Sequence, residues 1–287
     1  MRRLVVACLA AVLLAAGCTA VTTPAPDVLV TGDPGAPPTL TYVTPLAVSE
    51  TVHQVVWQGA GDELVDGEPV LVDFWLEDAS DATVVKESYS SSPTPRPLTV
   101  EDLGQDLYDT LHGQRVGARL LQISPAPGSG AANYPTVTVL DVLPTRASGE
   151  SVAPREGLPV VTLGGDGSPS ITPSAAEPPT ELVTQPLLRG TGAQVADDDT
   201  VTVQYTGFAW TTGEPFESTW TNRSPVSFDL AMVPAWANLV EQPVGSQVML
   251  VVPPTYPLGA TQSEELTGQT IVFVIDILAT GPAPVNG

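Results

Sequence analysis

Few residues of this chain are placed to do covalent chemistry. His53 and His112 stand in unrelated contexts, and neither sits in a motif that sets a serine and a carboxylate beside it. Cys8 and Cys18 both lie in the N-terminal segment, so no zinc set can be assembled. Asp197-Asp198-Asp199 lacks the spaced ligands of a calcium loop and reads as the turn before a strand. Neither a metal site nor a cofactor is predicted. The stretch VTVQYTGFAWTTGEPFEST, Val201 to Thr219, offers something else. Val201, Val203 and Tyr205 alternate with polar residues, a glycine turn follows, and then come Phe216 and Glu217. A strand tyrosine opposite a phenylalanine–acid pair supplies an apolar wall with one polar bond in it.

The elements that must position these residues occur twice. QGAGDELVDGEPVLVDFWLED begins at Gln58 and RGTGAQVADDDTVTVQYTGFA at Arg189. Gly59 and Gly61 correspond to Gly190 and Gly192, and Phe74 to Tyr205, at an offset of 205 − 74 = 131. Val116-Gly117 corresponds to Val244-Gly245, and VTVLDVL from Val137 to VFVIDIL from Val272. Each copy predicts a Gly-x-Gly turn, a half-buried strand (Val70 to Trp75, or Val201 to Tyr205), a second strand, one short helix and two closing strands. In the first copy Thr99 caps the helix, Leu103, Leu107, Tyr108 and Leu111 share a face, and Gly113 ends it. In the second, Pro234 opens the helix, and Trp236, Leu239 and Val240 face inward. Mostly antiparallel sheet with one helix packed on it makes each copy an α+β domain.

Composition fits that plan. The 287 residues are 43% hydrophobic but only 15% charged, with 25 glycines and 30 prolines, which suits strand-rich domains joined by polar loops. The formal net charge is −22 and Lys86 is the only lysine, so nucleic acid is not an expected partner. The N-terminus pairs Arg2 and Arg3 with an apolar run, Leu4 to Ala16, too short for a comfortable membrane span. Ala15-Ala16-Gly17-Cys18 resembles a bacterial lipoprotein cleavage box. Residues 1–17 are then expected as a signal, with Cys18 lipidated and the protein tethered outside the cytoplasm. The alternative is an ordinary secretory signal with an incidental cysteine. A Pro/Thr-rich stalk is expected over 18–37, the two domains over 38–144 and 157–281, a linker over 145–156 and a tail over 282–287, in a monomer.

The second copy resembles the FKBP-type peptidyl-prolyl cis–trans isomerases through VTVQYTG, TTGEPFEST, SPVSFDL, Trp236, PVG, VVPPTYPLG and IVFVIDIL, in that order over roughly 181–281. The resemblance implies two tandem FKBP-like domains, each a twisted antiparallel sheet around a short helix, the pocket lying between them. It implies Tyr205, Phe216, Glu217, Trp236 and Phe273 as the catalytic set. Val226, Phe228, Met232, Val233 and Leu258 would line the substrate site, with the Val233 N–H and the Tyr205 hydroxyl holding carbonyls. Three positions depart from the family pattern: Glu217 replaces an aspartate, Val226 an aromatic and Leu258 a loop tyrosine. In the first copy Phe74, Val85, Lys86, Tyr108 and Thr138 stand at the site positions, so that domain is expected to keep the fold without activity. The implied partners are X-Pro segments of secreted or cell-envelope proteins.

Other readings of the same residues stay open. Trp236, Phe216 and Phe273 could simply fill a core. The chain could bind proline segments without turnover, as a chaperone lipoprotein, or be a structural envelope protein of β-sandwich repeats.

Overall fold

The structure is a computed structural model that describes residues 27–128, 133–257 and 266–282. Cys18, the expected signal and Leu258 lie outside the described residues. Among the described residues no helix is long and apolar enough to cross a membrane.

The first half contains β1 (Leu29–Thr31), β2 (Thr39–Thr41), β3 (Val52–Trp57), β4 (Pro69–Asp78), β5 (Thr83–Glu87), β6 (Arg96–Pro97), α1 (Val100–Leu103), α2 (Gln105–Leu111), β7 (Arg119–Ser124) and β8 (Thr136–Leu143). The second half contains β9 (Glu150–Ser151), β10 (Val160–Leu163), β11 (Pro169–Thr172), β12 (Val183–Arg189), β13 (Asp199–Ala209), β14 (Pro215–Ser218), β15 (Val226–Asp229), β16 (Gln247–Val252) and β17 (Ile271–Pro282). Between these strands run 3-10 turns at Thr219–Thr221, Leu230–Met232 and Pro234–Leu239. The first sheet has the order β3-β7-β8-β4-β5, with β6 also paired to β4. The second has β9-β12-β16-β17-β13-β14, with β15 also paired to β13. Apart from the added β9, the two orders are the same. All pairings are antiparallel.

The correspondence reaches single hydrogen bonds. The register shifts between Val55 and Trp57 in one sheet and between Pro186 and Leu188 in the other. A second shift falls between Leu76 and Glu77, and between Gly207 and Phe208. Where the hairpin partner of the long strand stops pairing, a hydroxyl replaces the missing ladder bond. Phe74 N donates to Ser88 Oγ at 2.9 Å, and Tyr205 N donates to Thr219 Oγ1 at 2.9 Å. A Cβ on Gly59 would lie 2.4 Å from Val116 O, and one on Gly190 would lie 2.2 Å from Val244 O. Only glycine lets these backbones approach so closely, which is why the Gly-x-Gly and Val-Gly signals recur together.

Four expectations need correction. The strand through Tyr205 is not half buried: Asp199 to Phe208 are all buried. Its second face packs Phe208 and Trp210 with Met249, Val251, Val272 and Val274, covered by Leu158, Val161 and Ile171 around the β10–β11 hairpin. The expected helix over Thr99–Gly113 is two helices, because Gly104 takes φ 75° and breaks the run; Thr99 does cap the first, accepting from Asp102 N. The second expected helix is the six-residue 3-10 turn Pro234–Leu239, with proline at its start. Proline contributes no N–H to the first turn, and the chain reaches Pro243 too soon for a longer helix. The stalk and linker are not free over their described lengths. Val28 is buried, β1 pairs with β2, and Val30, Leu40 and Tyr42 cover the outer face of the first sheet. The linker adds β9 to the edge of the second sheet.

Each closing strand carries a buried aspartate that ties down the segment preceding its sheet. Asp141 pairs with the fully buried Arg119 at 2.5 Å, and that guanidinium donates to Gly32 O, Asp33 O and Ala36 O. At the matching position Asp276 Oδ2 accepts from Ala147 N and Oδ1 from Gln247 Nε2, both at 2.7 Å. Among the described residues no cation forms an ion pair with it, and desolvation pushes its pKa up to about 6, against the partial opposition of those two bonds and the nearby charge of Arg146. The folded chain therefore takes up this proton before the unfolded chain does. The resulting stability is fully present below the ordinary carboxylate range and is lost as pH rises through about 6. Asp276→Asn should remove that slope. Relative to the wild type, the variant should gain stability on going from pH 4 to pH 7, by at most about 3 kcal/mol. Urea unfolding at a series of pH values checks this, and a pH-independent difference would contradict it.

Candidate functional site

The aromatic residues singled out in the second copy converge on one face of its sheet. Successive side chains on β13 point to opposite faces, so Val201, Val203, Tyr205 and Gly207 share the face that looks toward the 3-10 turns. The β17 register sets Tyr205 opposite Ile275 and Gly207 opposite Phe273. The Pro234–Leu239 turn lowers Trp236 onto this face. Ring centroids lie 5.1 Å apart for Tyr205–Trp236, 6.1 Å for Tyr205–Phe273, 6.1 Å for Trp236–Phe273 and 4.7 Å for Phe228–Trp236, all edge to face. That arrangement sets positive ring edges on negative ring faces. Val226 and Phe228 are partly buried against the same cluster.

Burial grades across the site. Trp236 is 2% exposed, Phe273 3% and Tyr205 4%, whereas Phe216 is 37% and Met232 62% exposed. The first three form a packed floor and the last two an apolar rim. The indole N–H of Trp236 is buried without a partner among the described residues. A cavity of about 570 Å³ lies away from these rings, between the two repeats.

Tyr205 Oη donates to Glu217 Oε1 at 2.6 Å, so the longer acid does reach the tyrosine. Burial first, and then this bond, hold the phenol above its ordinary pKa, so it stays protonated. A phenol has one proton to donate, and the bond to Glu217 uses it. The Tyr205 oxygen is then left to accept a hydrogen bond, and the role of carbonyl holder implied by the resemblance needs correction while this bond is intact. The Val233 N–H points back to Leu230 O at 3.4 Å, a long bond that gives little up if a ligand carbonyl replaces it.

Two contributors escaped the sequence reading. Gly207 is one: a Cβ there would sit 2.4 Å from Phe216 Cζ. The missing side chain leaves room for the Phe216 ring to lie over the strand, its centroid 6.0 Å from that of Phe273. The glycine directly after Tyr205-Thr206 was the available signal. Tyr256 is the other, partly buried against the cluster from the loop where a tyrosine was sought at position 258. In the first copy Phe74 meets Lys86 instead, with Nζ 5.9 Å from the ring centroid. There Tyr108 hydrogen-bonds Asp66 at 3.0 Å and stacks on His112. The five aromatic rings of the second copy have no counterpart set in the first.

An antiparallel sheet wrapped over such a cluster, with a tyrosine–carboxylate bond at its rim, defines an FKBP-like α+β domain. Comparison with known proteins gives the family. Residues 192–278 match the FKBP-type peptidyl-prolyl cis-trans isomerase family. The FK506-binding protein of Streptomyces anulatus is 30% identical over 118 residues, covering 39% of this chain and 95% of that protein. A probable FK506-binding protein of Corynebacterium glutamicum is 31% identical over 114 residues, covering 39% of this chain and 97% of that protein. The isomerase FkpA of Escherichia coli is 33% identical over 108 residues, 37% of this chain and 40% of FkpA. The chain belongs to the FKBP-type peptidyl-prolyl cis–trans isomerase family, and its C-terminal half carries the match.

The contact between Gly207 and Phe216 can be tested by a double-mutant cycle. Gly207→Ala should cost about 1–3 kcal/mol by overpacking. In a Phe216→Ala background the same change should cost little, a coupling of at least about 1 kcal/mol in urea unfolding. Additive effects would show that the ring does not occupy the space above Gly207.

Proposed function

We propose that the second copy is the isomerase of this chain and acts on X-Pro bonds at the cluster of Tyr205, Phe216, Trp236 and Phe273. The observation that carries this reading is the convergence of those rings, with the Tyr205–Glu217 bond, on one sheet face. Rotation about an X-Pro bond is opposed by about 18–20 kcal/mol of amide resonance. The planar amide is more dipolar than the twisted one. A dry, ring-lined surface disfavours the planar form relative to the twisted form and so binds the transition state better. The proline ring would enter past Phe216 and Met232. The Val233 N–H would exchange its long bond to Leu230 O for a substrate carbonyl, and the Tyr205 oxygen would accept from a substrate N–H. Lowering the barrier by about 5–8 kcal/mol corresponds to roughly four to six decades of rate.

Two tandem FKBP-like domains, 38–144 and 157–281, extend the reading to the whole chain. The shared strand order, register shifts and hydroxyl bridges support it. The first domain lacks the aromatic set and serves without turnover. Cys18 and the apolar segment before it support a lipid-tethered, extracytoplasmic protein whose clients are secreted or envelope chains, where proline isomerisation limits folding. The burial of Trp236 favours a second reading, in which the site binds proline segments without catalysing their rotation.

An isomerisation assay on the full chain with short X-Pro peptides separates the two. Trp236→Ala should lower kcat/KM by about ten-fold or more while the folded state persists by circular dichroism. Peptide binding with no acceleration by the wild type would establish the second reading instead.

A further inference from the structure

Phe216 and Glu217 ride on β14, a strand of four residues that pairs with β13 at Thr206↔Ser218, Gly207↔Glu217 and Phe208↔Pro215. The register shifts between the last two pairs, so Phe216 is the extra residue and has no cross-strand partner. A strand this short is held mainly at its two ends. At one end Ala209 N donates to Glu214 O at 3.0 Å and Gly213 N to Ala209 O at 2.8 Å. At the other the Thr206 and Ser218 hydroxyls bond at 2.7 Å, and Thr219, the first residue beyond the strand, reaches back to Tyr205.

The Thr219 hydroxyl has a set direction. Its proton goes to Gln204 Oε1 at 2.8 Å, nearer than Tyr205 O at 3.3 Å. Gln204 is buried and its Nε2 donates to Thr145 O at 3.4 Å, which turns its oxygen toward Thr219. With that proton committed, the Thr219 oxygen accepts from Tyr205 N at 2.9 Å. The end of β14 is thus fastened to the backbone of Tyr205, and Glu217, two residues earlier on β14, bonds the phenol of the same tyrosine at 2.6 Å. The phenol's bond to Glu217 decides where its oxygen lone pairs point. The first copy keeps the bridge, Phe74 N to Ser88 Oγ, but there Ser88 donates to Asp73, and Phe74 and Lys86 stand where the second copy has Tyr205 and Glu217. The bridge belongs to the frame of both copies, and only in the second does an oriented phenol depend on it.

We propose that Thr219 is a positioning residue for isomerisation: its hydroxyl sets β14 against Tyr205, so that Glu217 aims the phenol oxygen at a substrate N–H. This role rests on the isomerase reading of the site.

Turnover of short X-Pro peptides by the full chain tests it, with each variant confirmed as folded by circular dichroism. Thr219→Val should lower kcat/KM by about five- to ten-fold, through kcat with KM little changed. Thr219→Ala removes the same hydroxyl and replaces the valine variant if that one does not fold. Thr219→Ser should restore turnover to within about two-fold. Ser88→Ala breaks the matching bridge in the first copy and should leave turnover unchanged. In a Tyr205→Phe background, where no phenol is left to aim, Thr219→Val should add less than about two-fold. Three results would overturn the inference while the isomerase reading stands: turnover that is lost in Trp236→Ala but unmoved without the Thr219 hydroxyl, an equal loss in Ser88→Ala, or a full Thr219→Val effect in the Tyr205→Phe background. A wild type that never accelerates rotation would remove the isomerase reading itself, and this role with it.

Discussion

The site depends on the long antiparallel pairing of β13 with β17, which runs from Asp199↔Pro282 to Ala209↔Ile271. That ladder sets Tyr205 and Phe273 on one face, two steps apart, with Gly207 directly opposite Phe273. The missing side chain at Gly207 is what lets a ring from the neighbouring β14 cross the strand. With any other residue there, Phe216 would be displaced from Phe273, and the cluster would lose its rim while keeping its floor. Burial of the opposite face under the β10–β11 hairpin stiffens the same strand, since it cannot bend away from one core without opening the other.

Much of this was legible in the residues themselves. The repeat announced itself through the glycine pairs and the closing strands, because close backbone approach and strand alternation each leave a local signature. Tyr205, Phe216, Trp236 and Phe273 were legible through their order along the chain, and the structure brings them together. The misses have physical causes. A strand covered on both faces keeps polar residues at alternate positions when they pair with one another, as Thr202 does with Ser227 and Thr206 with Ser218. Its alternation therefore suggested one solvent face. The covering hairpins have weak patterns of their own: β1 lies in sequence that reads as stalk, and β10–β11 in a Pro/Gly-rich stretch at the start of the second domain. Yet β1–β2 and β10–β11 also stand at the common offset, 160 − 29 = 131. Gly207 was hidden because a glycine's function is the space it leaves.

The buried aspartates have different partners in the two halves of the chain, although both lie on the closing strand. Asp141 has a buried arginine partner that reaches back to the N-terminal segment, while Asp276 holds the linker with neutral donors only. Asp276 and Gln204, which donates to Thr145 O at 3.4 Å, thus fasten the connector to the second sheet. Arg146–Asp62 and Arg223–Glu68 then span to the first copy. These exposed pairs contribute little stability each, so they orient the copies more than they bind them.

The central claim is that the rings accelerate bond rotation by excluding water and fitting the twisted amide, with no proton moved in the slow step. Turnover of an X-Pro peptide in light and heavy water tests it most directly. The account predicts a solvent isotope effect of about 1, because the Tyr205 hydroxyl keeps its proton in the slow step. An effect of about 2 or more that disappears in Tyr205→Phe would contradict it and make the tyrosine–glutamate pair an acid–base device.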